Sequence, residues 1–160
     1  MKKYIMAILA VGVLVGLDQW TKYLATVNLA DSPLVIWEGV FELHYSTNAG
    51  AAFGLLQNQR WIFLVLATLV LIAIAVFFYK ISPKEQYRPL QILCVFIMAG
   101  AIGNMIDRVL NGYVVDFLYF RLIDFPIFNV ADCYVTLSGV LVIILLFFKY
   151  KDEDFKEMLK

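Results

Sequence analysis

The sequence predicts an all-α membrane protein, with four transmembrane helices, a small extracytoplasmic β-sheet and a short surface helix. Three observations carry that expectation. Hydrophobic residues make up 62% of the chain and charged residues only 16%, and the mean hydropathy of +0.81 lies outside the balance of a soluble domain. Spanning a bilayer takes about 20 mostly apolar residues in helix, and stretches of this kind fall at residues 4–24, 61–79, 90–106 and 130–148. The connections at 25–60 and 107–129 contain short runs of β-branched and aromatic residues beside glycines, the composition of strands and turns.

The first span begins with Met1, Lys2 and Lys3 and an apolar run, like a secretory leader. That run passes directly into Asp18-Gln19-Trp20-Thr21-Lys22 without a small-residue exit, so an uncleaved span is expected. Lys2, Lys3, Lys80, Lys84, Arg88, Lys149, Lys151 and Lys156 all fall at one end of the four-span arrangement. By the positive-inside bias that end, with both termini, is expected in the cytoplasm. The four spans leave no room for a separate soluble part, so residues 1–160 are expected to form one integral-membrane domain.

On the outer side, Leu34-Val-Ile-Trp37 and Val40-Phe-Glu-Leu-His-Tyr-Ser46 read as two strands around Glu38-Gly39, and Asn111-Gly112 before Tyr-Val-Val reads as a turn leading into a third. Trp37, Phe41, Tyr45 and Trp61 suit the headgroup region. Gly12 and Gly16 form a G-x-x-x-G that permits close helix approach within the bundle or between subunits. The tail, residues 149–160, mixes both charge signs and is expected to be a solvated end.

Positive and negative residues are equal in number, 13 each, which gives no field for nucleic acid or another polyanion. Cys94 and Cys133 lie in apolar runs and read as small buried hydrophobes. The single histidine, His44, has no ligand partners in sequence and reads as an interfacial strand residue, so metal-dependent hydrolysis has little support. Ser138 lies mid-span without a Lys or His nearby to activate it.

Ionisable groups near a bilayer interior are costly and mark function by default, at roughly 2.5–3.5 kcal/mol each at mid-span. Asp18, Lys22, Asp107, Arg108, Asp116 and Asp132 all belong at about one depth, near the outer boundary. Asp18, Lys22 and Asp107 are equally readable as bundle-locking ion pairs or as direct participants. Asp116 and Asp132 differ, because each sits among apolar and aromatic neighbours with no adjacent base. Two carboxyls meeting in a poorly solvated place cannot both ionise readily, so they share a proton and supply an acid and a base together.

Five ordered segments, Asp18-Gln-Trp-Thr-Lys22, Asn48-Ala-Gly-Ala-Ala-Phe53, Gly100-Ala-Ile-Gly-Asn-Met-Ile-Asp-Arg108, Val114-Val-Asp-Phe117 and Phe128-Asn-Val-Ala-Asp132, together resemble the lipoprotein signal peptidase (signal peptidase II) family. The resemblance implies a bacterial intramembrane aspartyl endopeptidase that cuts the signal peptide from a prolipoprotein, just before a diacylglyceryl-modified cysteine. It implies Asp116 and Asp132 as the catalytic dyad, and Asn48, Gly50, Asn104, Arg108 and Asn129 as active-site positions. Asp18 and Lys22 match a motif for which a site-organising role is expected. Asn129 is also well placed to cap the fourth helix. Ala99 stands where a Gly-Gly pair is frequent in the family, and residues 50–60 look by analogy like a mobile outer segment over the site.

The reading calls for no metal or cofactor and no nucleic acid. It expects lipid-modified prolipoproteins and membrane lipids as partners, a monomer, and a place in the bacterial cytoplasmic membrane with the site near the outer face. The alternative is a small proton- or ion-coupled membrane transport subunit, for which intramembrane carboxylates are equally natural.

Overall fold

The computed structural model describes residues 1–50, 56–81 and 83–158. Its membrane-length helices are α1 (Lys2–Asn28), α2 (Arg60–Lys80), α3 (Arg88–Leu110) and α4 (Val130–Phe148). All four are long and apolar enough to span a bilayer. The apolar stretches expected from sequence lie within them, and α1 runs one turn further than expected, so Asp18 and Lys22 lie well inside a continuous helix. Pro89 stands in the first turn of α3, where its missing N–H costs nothing. Asn129 caps α4.

Helix α3 is the central element and packs against α1, α2 and α4. Its glycines make that possible. A methyl on Gly100 would fall against the carbonyl oxygen of Ala131 and 2.7 Å from Val135 Cγ2, and one on Gly103 would strike the Asp18 carboxylate. Ala99 is fully buried, so its extra methyl is accommodated. In contrast, space is open around Gly12 and Gly16, and the G-x-x-x-G of α1 makes no close contact among the described residues.

The strands β1 (Leu34–Trp37), β2 (Phe41–Asn48) and β3 (Val114–Tyr119) form an antiparallel sheet in the order β1-β2-β3. Ser46 lies opposite Asp116 and Asn48 opposite Val114, with an irregularity in β2 between Leu43 and Ser46. On the other edge of β3, Phe128 bridges Leu118, which lays the chain along the sheet just before α4 begins. Ala25 of α1 with Val115 and Phe117 of β3 forms the apolar cluster that seats the sheet on the bundle. The outer surface helix expected within residues 50–60 falls mostly on residues 51–55, outside the described residues. Residues 56–58 form a turn in which Leu56 and Asn58 have φ of +54° and +62°, outside right-handed helix geometry.

At the opposite end the tail departs from expectation. It folds back as α5 (Asp152–Met158) instead of extending into solvent. Met158 is 1% exposed and packs with Ile81, Tyr87, Leu90 and Tyr150. Glu157 is paired with Lys84 and accepts hydrogen bonds from Gln86 and from the Tyr87 hydroxyl, both at 3.0 Å. The mixed charges that looked solvated are thus partly used in docking. The start of α1 lies at this same end, where the Lys3 ammonium donates to the carbonyls of Phe78 and Ile81 at 3.1 and 3.0 Å.

Gly103→Ala tests the tightness of the α1–α3 contact. Forcing a methyl against a buried carboxylate should cost about 1–3 kcal/mol and lower the thermal midpoint in detergent by several degrees. An unchanged midpoint would mean that the two helices have slack.

Candidate active site

The site is assembled where α1, α3, the α4 N-terminus and the β2–β3 pair meet. Asp18 and Lys22 are one turn apart on α1, and Asn104, Asp107 and Arg108 share a face of α3 by their i, i+3, i+4 spacing. Asp132 is the third residue of α4 and Asp116 the third residue of β3.

Lys22 is buried, only 3% exposed. Its ammonium lies 2.9 Å from Asp18, 3.0 Å from Asp107 and 2.9 Å from the Asn104 side-chain oxygen, so each of its three protons has an acceptor. Burying such charges is expensive unless they are paired and fully hydrogen-bonded, and here they are. Gln19 donates to both carboxylates, at 3.2 Å to Asp18 and 2.9 Å to Asp107, and Asp18 accepts the Ala131 N–H of α4 at 2.9 Å. This cluster joins α1, α3 and α4.

An ammonium can only donate, so Asn104 must turn its oxygen toward Lys22 and its NH2 outward. That NH2 meets Asp132 Oδ1 at 2.7 Å. Asn129 handles both acids. Its side-chain NH2 donates to Asp116 Oδ1 at 2.6 Å, its side-chain oxygen accepts the Asp132 N–H at 3.0 Å, and its own backbone N–H donates to Asp132 Oδ2 at 3.2 Å. The last two contacts form a capping box at the start of α4. Asn129 therefore caps the helix and contacts Asp116 at once. Asn48 completes the set, donating to Asp116 Oδ2 at 3.1 Å and accepting the Gly50 N–H at 3.0 Å. Arg108 reaches the Gly50 carbonyl at 3.2 Å and lies over the Phe63 ring at 4.6 Å.

The structure thus brings Asp116, Asp132, Asn48, Gly50, Asn104, Arg108, Asn129, Asp18 and Lys22 into one connected network. Sequence reasoning left out Gln19 and gave Asp107 no contact to the sheet. An amide within an apolar span needs partners, and that signal could have flagged Gln19. No local signal points from Asp107 to β3. His44 is an exposed strand residue, with its ring edge-on to Tyr119. Ser138 is buried in α4. Among the described residues no three His, Cys, Asp or Glu side chains stand close enough to hold a metal ion.

Both acids are held by neutral amides and not by direct cation contact. The Asp116 carboxyl, on β3 beyond the spanning helices and 3% exposed, is pushed up to about 7. Burial is the main cause and the charge of Asp132 the second, opposed by the hydrogen bonds from Asn48 and Asn129. A carboxyl titrating in that range can hold or release a proton near neutrality and so can serve as an acid or a base.

A family model described as signal peptidase (SPase) II matches residues 10–148. The chain belongs to the signal peptidase II family. It is 44% identical over 141 residues to the lipoprotein signal peptidase of Streptococcus thermophilus, covering 88% of this chain and 90% of the relative. With that of Clostridioides difficile it shares 42% identity over 146 residues, covering 90% and 97%. A solved bacterial membrane enzyme superposes with a TM-score of 0.78 at 34% identity, covering 92% of both chains. The protein is accordingly a multi-pass bacterial membrane protein and a peptidase.

The raised carboxyl makes stability depend on pH. An unfolded aspartate titrates at about 3.9, so between about pH 4 and about pH 7 the folded peptidase keeps a proton on Asp116 that the unfolded chain has released. Stability therefore falls as pH rises through that window and levels off above it. Asp116→Asn has no proton to lose, and its thermal midpoint should decline less steeply across the window. Parallel curves for the two proteins would contradict the raised carboxyl.

Proposed function

We propose that this chain is an aspartic endopeptidase that removes the signal peptide of diacylglyceryl-modified prolipoproteins, cutting on the N-terminal side of the lipidated cysteine. Asp116 and Asp132 act as the catalytic dyad. The observation that carries the assignment is the bridging of two otherwise cation-free carboxyls through one residue, Asn129. The ionised member accepts a proton from water as the water oxygen attacks the scissile carbonyl, and the protonated member donates to the carbonyl oxygen. In the resulting gem-diol intermediate the C–N bond breaks as the protonated member gives its proton to the leaving amine and the ionised member takes one from a hydroxyl of the intermediate, which restores the starting state of the pair. No covalent enzyme intermediate and no cofactor enter these steps.

Asn104, Asn129 and Asn48 hold the carboxyls in place without adding charge. Asp18 and Lys22 organise the site from within the bundle. Arg108 ties α3 to Gly50, just beyond the end of β2. Lysines and arginines at the end carrying both termini support a cytoplasmic location for that end. The sheet and the site then face outward, near the depth at which a membrane-anchored lipid-modified cysteine presents its peptide bond. All catalytic parts come from one chain and one domain, which supports a monomer.

The transport alternative is not supported. The family match names a peptidase, and the buried aspartates, Asp18, Asp107 and Asp116, collect at one end of the bundle, while α2 has no acidic residue along its length. A relay across the membrane would need such groups at several depths.

Asp116→Asn and Asp132→Asn should each leave a folded, inserted protein with processing reduced at least ~10³-fold, as loss of an essential acid or base allows. A gel-shift assay of precursor cleavage reads this, and melting curves separate it from a purely stabilising role. Near-normal cleavage by either variant would sink the assignment. In the same detergent assay the diacylglyceryl-modified precursor should be cut and its unmodified form left intact. Equal cleavage of the two would remove the lipid requirement.

A further inference from the structure

The backbone leading into Asp116 is held from an unexpected quarter. Val115 immediately precedes it on β3. Its N–H donates to Asp107 Oδ2 at 3.1 Å, and its carbonyl accepts from the Asn129 side chain at 3.3 Å. Phe128 pairs with Leu118 further along the same edge of the strand and accepts the N–H groups of Phe117 and Leu118. Without Asp107 the Val115 N–H would be a buried donor with no partner in the described structure, a costly arrangement.

Asp107 is itself fixed. It is 3% exposed, its Oδ2 also meets the Lys22 ammonium at 3.0 Å, and its Oδ1 accepts from Gln19 at 2.9 Å. Gln19 is anchored in turn on the Gly103 carbonyl at 3.2 Å. The carboxylate thus sits rigidly on the last turns of α3 and reaches across the short α3–β3 connection to the strand. The β2 ladder holds one edge of β3, and Asp107 with Asn129 holds the other.

We infer that Asp107 is a positioning residue for the cleavage reaction, which fixes the strand at Val115 so that the next side chain, Asp116, is delivered to Asp132. This rests on the reading of Asp116 and Asp132 as the dyad. Asp107 touches neither carboxyl of that pair and acts only through the backbone and through Lys22. Its oxygen matters for the sheet, and its charge matters for Lys22.

Two uncharged substitutions of similar size separate those contributions. Asp107→Asn keeps an oxygen for Val115, whereas Asp107→Leu does not, and both remove the charge opposite Lys22. With the lipidated precursor, Asp107→Leu should lose ~10²-fold in kcat, the scale of a misplaced reacting group, with KM within about twofold of the unaltered enzyme. Asp107→Asn should retain kcat within about tenfold on the same reasoning. Equal kcat for Asn and Leu, or a fall that appears in KM alone, would overturn the proposal.

Amide hydrogen exchange decides the matter should the Leu variant fail to fold. In the unaltered protein the Val115 N–H should exchange no faster than that of Leu118, and faster exchange would refute the anchoring contact. Asp116→Asn is run alongside as a control. Full turnover in that control, with a Leu–Asn difference still present at 107, would fault the dyad assignment and leave the Asp107 linkage standing.

Discussion

One buried ammonium organises this molecule. Lys22 has three protons and three acceptors, two of them carboxylates from different helices and the third the amide oxygen of Asn104. A donor-only group at that place sets the polarity of everything outward from it. Asn104 can face Lys22 only with its oxygen, so its NH2 faces Asp132, and the same oxygen receives the Asn129 amide at 3.1 Å. The orientation of the amides around Asp116 and Asp132 follows from a charge that touches neither acid.

That separation matters for the chemistry. An ammonium or guanidinium bonded directly to Asp116 or Asp132 would favour its ionised form. Here the charge of Lys22 is taken up by Asp18 and Asp107, and Arg108 is directed at the Gly50 carbonyl and the Phe63 ring. The acids are left with amide donors. Amides hold a carboxyl in place in either protonation state at modest cost, and burial then keeps the Asp116 carboxyl near neutrality. Charge stabilises the scaffold one layer back, and neutral dipoles contact Asp116 and Asp132.

The two ends of the bundle solve different problems with similar means. At the sheet end, glycines at 100 and 103 admit α4 and Asp18 so closely that polar groups of three helices can meet. At the other end, apolar packing around Tyr87 and Met158 and a carboxylate, Glu157, hold α5 against the connection between α2 and α3. The membrane supplies no hydrophobic drive between spans, so close approach and satisfied polar contacts carry the association.

The spans and the strands were legible from composition and periodicity, because each is a local property of the chain. The motifs around Asp116 and Asp132 pointed to the family. Asn129 was readable as a cap because capping is local, but its contact with Asp116 was not. The tail was misread as solvated, since its docking depends on Tyr87 and Lys84, about seventy residues away in sequence. Asp107 was readable as an ion-pair partner within the bundle, but its bond to the Val115 N–H was not. The sequence by itself determined which groups had to find partners, because the bilayer leaves buried polar groups no water to turn to. Which partners they found was decided only in three dimensions, where the glycine-lined approach of the helices and the register of β3 against β2 brought distant side chains within hydrogen-bond reach.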